Sequence, residues 1–123
     1  MAAPNLLSPT TITGKTVTVN LTTTSATSVL SNAASSGKTL KINSLYVANT
    51  TATAANITIN QYSAAALGGT AFPIASTIAV PGNATLVVID KDAYVYLEEN
   101  MSLGATAGTS SALQIVCSYE DIS

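Results

Sequence analysis

Apolar and polar positions alternate with a period of two along most of the chain. In TITGKTVTVNLT, Lys15, Val17, Val19 and Leu21 share one face, and Thr16, Thr18, Asn20 and Thr22 share the other. That is the pattern of a half-buried strand rich in β-branched residues. A short strand is predicted over Ala26 to Ser31, followed by the loop SNAASSGK. In KTLKINSLYVANT, Leu40 and Ile42 have one parity, and Leu45 and Val47 have the other. The switch at Asn43 and Ser44 predicts a bulge or bend. ANITINQY sets Ile57, Ile59 and Gln61 against Thr58, Asn60 and Tyr62, and SAAALGGT reads as a loop tip. FPIASTIAV carries a strand expected to break near Pro73, and Pro81-Gly82 is a turn signal.

Three more strands follow. NATLVVID sets Leu86 and Val88 against Val87 and Ile89; AYVYLEE sets Ala93, Val95 and Leu97 against Tyr94 and Tyr96. The last, SALQIVCSYE, lines up Leu113, Ile115, Cys117 and Tyr119, after the short stretch MSLGATA. No ten-residue stretch has a helical period, and the alanine runs are too short for a stable helix. About eight short strands with regular turn signals predict an all-β protein. The expected fold is a single antiparallel β-sandwich, jelly-roll or immunoglobulin-like, over residues 12–123. Residues 1–11 precede it as an extended N-terminal arm. Pro4 and Pro9 bound the arm, and Leu6 and Leu7 have no periodic partner within it. Leu6, Leu7, Pro9 and Thr11 are therefore the candidate partner-binding residues.

Composition narrows the function. The chain has 123 residues, of which Ala, Thr and Ser supply 20, 19 and 14. Only 8% are charged, against roughly 25% in an ordinary soluble domain. Four lysines and no arginine give no basic footprint for nucleic acid. Without His, and with one Cys, the chain lacks the nitrogen and sulfur ligands of a zinc site and the Ser-His and Cys-His nucleophile pairs. No enzyme activity, catalytic residue, cofactor or metal is expected. No apolar run approaches a membrane span and no signal peptide is visible, so synthesis in a cytoplasm without export, starting at Met1 or Ala2, is expected.

The remaining candidates have plain structural readings. Asp90 and Asp92 flank Lys91 in what reads as a turn; calcium binding through their oxygens is the minor alternative. Asn20, Asn49, Asn56, Asn83 and Asn100 stand in N-x-S/T triplets, which a chain so rich in Ser and Thr produces partly by chance. Cys117 has no neighbouring cation and reads as a buried structural thiol. The tyrosines read as core and interface residues. A surface of Thr, Ser, Asn and Ala desolvates few ions when it docks, and salt has little there to screen. Such a surface suits a permanent place in an assembly.

The arm LLSPTTITGKT and the run YLEENMSLGATAGTSSALQIVCSYEDIS resemble small β-rich virion structural proteins of tailed phages, closest to a group seen in phages of marine cyanobacteria. The KINSLYVAN strand, the VPGNATLVVIDKD turn and the SYEDIS terminus carry the resemblance, which spans Leu6 to Ser123. It implies a β-sandwich component of the virion, made in the host cytoplasm. Its partner would be the major capsid protein or another virion structural protein, with a homo-oligomer, a trimer first, as the assembled form. Capsid decoration or cement is the first expectation. A neck, tail or baseplate module is the second, and a secreted adhesin or carbohydrate-binding sandwich the more distant third.

Overall fold

The computed structural model describes residues 4–123. Nine strands form two antiparallel sheets: β1 (Ile12–Leu21), β2 (Thr27–Asn32), β3 (Thr39–Asn49), β4 (Ala55–Ala64), β5 (Gly68–Val80), β6 (Thr85–Ile89), β7 (Val95–Leu97), β8 (Met101–Ala107) and β9 (Leu113–Ile122). One sheet has the order β1-β9-β3-β6, with β7 also paired to β3; the other has the order β2-β8-β4-β5. The chain changes sheet at most connections. Together with this order, that is the wiring of a jelly roll, so of the two expected sandwich forms the jelly roll is the one found.

The period-two pattern places the core. Leu21, Ile42, Leu45, Val47, Ile57, Ile59, Leu103, Leu113, Ile115 and Cys117 are buried between the sheets. The parity switch in β3 is a bulge. Ile42 pairs with Tyr119 and Ser44 with Ser118, leaving Asn43 as the extra residue. Leu40 and Ile42 before it, and Leu45 and Val47 after it, can then all face inward. A second irregularity, between Leu45 and Tyr46 opposite β6, lets Ile89 be buried while Val87 is exposed, so the simple alternation expected in NATLVVID is broken.

Two expectations are corrected around β5. The strand does not break at Pro73 but runs from Gly68 to Val80. It lies at the edge of its sheet, where a missing backbone donor is tolerated. The predicted loop SAAALGGT shrinks to a tight turn, with the Gly68 N–H donating to the Ala65 carbonyl at 3.1 Å. Ala66 and Leu67 both have positive φ, 56° and 60°, as the mirror-image hairpin turn requires. The two glycines follow this turn instead of forming it. MSLGATA is β8, a central strand with most of its residues buried.

Two buried asparagines tie the sheets together. At the end of β3, Asn49 Nδ2 donates to the carbonyls of Thr53 (2.8 Å) and Val80 (3.0 Å), and its Oδ1 accepts from Thr51 N (2.9 Å). At the end of β2, Asn32 Nδ2 donates to the carbonyls of Lys38 and Leu97, both at 3.0 Å. Val80 and Leu97 lie on the opposite sheet from their asparagines.

Candidate functional site

Charge is segregated in this fold. Strands β2, β4, β5 and β8 carry no charged side chain. All ten charged residues lie on the β1-β9-β3-β6 sheet with β7, or on connections next to it. Most of them gather at one end. Asp121 Oδ2 takes Lys15 Nζ at 3.0 Å and Lys38 Nζ at 3.2 Å. Burial opposes ionisation of Asp121, but the two ammonium groups outweigh it and hold the carboxyl below its ordinary range; the same contact raises Lys15. A groove of about 220 Å³ opens beside this cluster, lined in part by Leu30, Asn32, Ser36 and Tyr119. The carboxylate on its wall is already paired with cations, and nothing marks the groove as catalytic.

Exposed apolar groups form a second feature. Phe72 (54% exposed), Ile74 (38%) and Ile78 (41%) all lie on the edge strand β5. On the outer face of the other sheet, Tyr46 pairs with both Val116 and Val87, forming a row of partly exposed apolar side chains across three strands. Near its charged end, Tyr94 and Tyr96 meet edge to face at 5.4 Å, and Lys41 Nζ sits 4.5 Å from the Tyr94 ring centre. Two perpendicular rings, one capped by a cation, make no flat platform for stacking a sugar.

The candidate partner-binding residues divide. Leu6 is 48% exposed and Leu7 94% exposed, so neither is covered by its own domain. Asn5 turns the chain here: its Oδ1 accepts from Leu7 N and its carbonyl from Ser8 N, so the arm is not extended throughout. Pro9 is partly buried. Thr11 is built into the domain edge, exchanging both backbone hydrogen bonds with Ser123 at 2.9 and 2.8 Å. The part of the arm exposing apolar surface is therefore centred on Leu6 and Leu7. Residues 1–3 of the expected arm lie outside the described residues.

The other singled-out residues have local roles. Asp90 Oδ1 caps the short turn Lys91–Ala93, accepting from Asp92 N and Ala93 N. Asn83 and Asn100, two of the triplet asparagines, hold positive φ of 57° and 58° at turns, a conformation asparagine tolerates well. Cys117 is fully buried, and burial pushes its thiol up to about 12. The β5 residues were missed from sequence. The available signal was the chain's only phenylalanine beside a proline, in a strand whose apolar residues would have to be exposed if it lay at an edge.

One network gave no sequence signal. Three successive N–H groups of the β4–β5 tip are taken by side chains: Ala65 by Asn100 Oδ1 (3.1 Å), Ala66 by Ser31 Oγ (3.0 Å) and Leu67 by Ser102 Oγ (2.9 Å). Ser102 Oγ also donates to the Ala64 carbonyl at 2.7 Å. The tip thus folds over its own sheet, with Leu67 lying over Gly104, where an added Cβ would come within 2.7 Å of Leu67 Cδ2.

The arrangement defines a jelly-roll sandwich with a neutral sheet, a charged end and an apolar arm. No family model and no curated protein matches the chain. A solved structure is similar in fold: a subunit of Bacillus endospore appendages, described as a family of disulfide-linked pili, at 19% identity and a TM-score of 0.52. The alignment covers 92% of this chain and 88% of that one. At that identity the likeness shows a shared fold.

Proposed function

We propose that this protein is a structural subunit of a multi-copy particle. Its specific role in this reading is to decorate or cement a phage capsid by binding the major capsid protein. The observation that carries the reading is the uncharged β2-β8-β4-β5 sheet, with apolar side chains exposed on its β5 edge. A surface of this kind docks without stripping water from ions, and it gives a free monomer little charge repulsion. The virion part of the reading rests on the resemblance in the arm and the C-terminal run.

A second reading, a module of a tail or another fibre, draws support from the fold shared with an appendage subunit. Those appendages are disulfide-linked. Here the single cysteine is buried in the core, so copies of this domain would be held by non-covalent contacts.

Locating the protein in intact particles by cryo-electron microscopy tests the proposal. Density on the shell, seated on the major capsid protein and retained in high salt, is the expected result. Density on the tail favours the second reading. Absence from purified particles overturns both, and release by raised ionic strength alone overturns the neutral-surface argument.

A further inference from the structure

The edges of the two sheets are not alike. β5 carries Pro73, a positive φ of 51° at Thr77 and register shifts against β4. β2 has six residues and a register shift between Ser28 and Leu30. β6 has five residues and an irregular pairing with β3. Each of these devices blunts an edge against further pairing. β1 has none of them. It runs for ten residues in unbroken register with β9, without a proline or a positive φ. Among the described residues no strand pairs with its other side. We propose that β1 of one copy pairs antiparallel with β1 of a second copy about a two-fold axis at Val17, joining their β1-β9-β3-β6 sheets into one.

Backbone geometry dictates what covers this edge. Thr11 and Ser123 exchange both backbone hydrogen bonds, so with the register unbroken every second residue from Thr13 to Leu21 bonds to β9. Ile12, Gly14, Thr16, Thr18 and Asn20 therefore turn their N–H and C=O groups outward at regular spacing. An extended strand matches such a row, and a helix or irregular loop does not. The chain's own arm is no such strand. Pro4 and Pro9 lack donors, and Asn5 turns the chain through its bonds to the N–H groups of Leu7 and Ser8. Lysine is a common guard of an open edge, and β1 has one charged residue, Lys15. Its ammonium is drawn away from the edge onto Asp121 of β9, at 3.0 Å.

The residues of β1 suit pairing with themselves in the antiparallel sense. Parallel copies in register would set Lys15 against Lys15. With the axis at Val17, Thr16 pairs with Thr18 of the second copy and Gly14 with its Asn20, each twice, for about eight backbone hydrogen bonds. Val17, half-buried at the open side of the core, meets Val17 of the second copy, and Val19 lies against the stem of Lys15. The two Lys15 residues then stand about 13 Å apart along the ladder, beyond strong repulsion in physiological salt. An axis at Thr16 would bring them to about 7 Å. An axis at Thr18 would set Gly14 against Thr22, beyond the end of the strand. The contact uses the same surface on both copies, so it closes as a dimer, in place of the trimer that the virion resemblance implies. It leaves the neutral sheet and its β5 edge open to the particle, and it goes beyond the particle-subunit reading without resting on it.

The full chain in solution tests this. Sedimentation equilibrium should show monomer and dimer, and amide exchange at Thr16 and Thr18 should slow as the dimer fills, with β5 amides unchanged. Thr16→Pro removes an outward donor and no bond to β9, so it should weaken the dimer at least tenfold with an unchanged circular dichroism spectrum. Phe72→Lys, on β5, should leave the dimer unaltered. Introduced thiols read the register, because Cys117 is buried and stays silent. A Thr16→Cys chain mixed with a Thr18→Cys chain and oxidised should give mainly the mixed disulfide, since the paired Cα atoms lie about 5.5 Å apart. A monomer at every concentration, a dimer indifferent to Thr16→Pro or equally weakened by Phe72→Lys, or self-linked products in place of the mixed one overturns the proposal. If Thr16→Pro fails to fold, the exchange and cross-linking results decide. These readouts use purified protein, so their failure is distinct from absence of the protein from particles.

Discussion

The two sheets of this sandwich handle polarity in opposite ways. The β2-β8-β4-β5 sheet has no charged residue and satisfies its buried polar groups with short neutral hydrogen bonds, such as those of Ser102. The sheet containing β1, β9 and β3 carries ion pairs at the end where β1 begins and β9 finishes: Lys15 and Lys38 on Asp121, and Lys41 with Glu120 at 3.9 Å. Both lysines on Asp121 are about half exposed, so water and salt weaken those pairs. Neutral bonds shielded from water have no such competitor, and removing one partner strands the other. The difference teaches that in this protein the uncharged groups hold the fold, while the charges trim one end of it.

The largest effect is expected where the neutral network crosses between sheets. Asn49→Ala strands the Val80 carbonyl in a buried site and removes the acceptor of the Thr51 N–H and hydroxyl, while the Thr53 carbonyl keeps the Thr51 hydroxyl. The expected loss is about 3 kcal/mol, read as a lower urea midpoint at an unchanged slope. A loss below about 1 kcal/mol would mean that water replaces the side chain, which would remove the contrast between the sheets. Ser102→Ala should cost about 2 kcal/mol, because two backbone groups of the hairpin tip lose a common partner. Faster amide exchange at Leu67, and not throughout the domain, would locate the damage in the tip.

Sequence reading reached the sandwich because its signal is local. Alternation in β1, β4, β7 and β9 places Val17, Ile57, Leu97 and Ile115 on the core side, and the β3 bulge is visible as a parity switch at Asn43. The β5 edge was less legible. Pro73 normally ends a ladder, and only the strand order reveals that this ladder has no neighbour on the affected side. The segregation of charge was hidden for a similar reason. Charged and uncharged strands are interleaved along the chain, and they sort into sheets only through crossovers that the local pattern does not encode. The turn at Ala66 and Leu67 lacks the glycine or asparagine that would have announced it. For the candidate site, the exposed Leu6 and Leu7 were readable from the prolines around them, whereas the role of Thr11 depends on Ser123, at the far end of the sequence.

The charged end should give a smaller and conditional effect. Asp121→Asn is expected to cost about 1 kcal/mol at low ionic strength and neutral pH, and less in 1 M salt. The Asn49→Ala and Ser102→Ala variants should keep their costs in the same salt. The pH response has a defined sign. The Asp121 pKa is lower folded than unfolded, so its stabilisation is present above the unfolded value, near 3.9, and is lost as pH falls through the folded one. Lys15 is raised, so its share is complete below about pH 10.4 and is lost as pH rises through the folded value. Acid titration of the Asp121→Asn variant should therefore lack part of the stability loss of the parent below pH 4. An identical acid limb in both would remove Asp121 from the account.

The smallest effect concerns the arm, where a one-residue difference decides the outcome. Deleting residues 1–10 removes Leu6 and Leu7, which are exposed in the single copy, so stability should change by less than about 0.5 kcal/mol. Deleting residues 1–11 also removes Thr11 and leaves Ser123 N–H and C=O without the backbone partner that ties β9 to the start of β1. That step should cost about 1 kcal/mol more, beside the charged end and not in the neutral sheet. Melting curves of the two truncations would measure it. Attachment to the particle should fall equally in both, because both lack the exposed leucines. If the shorter deletion already destabilised the domain, the arm would be part of the fold, and its exposed leucines could no longer be read as a surface kept for a neighbour.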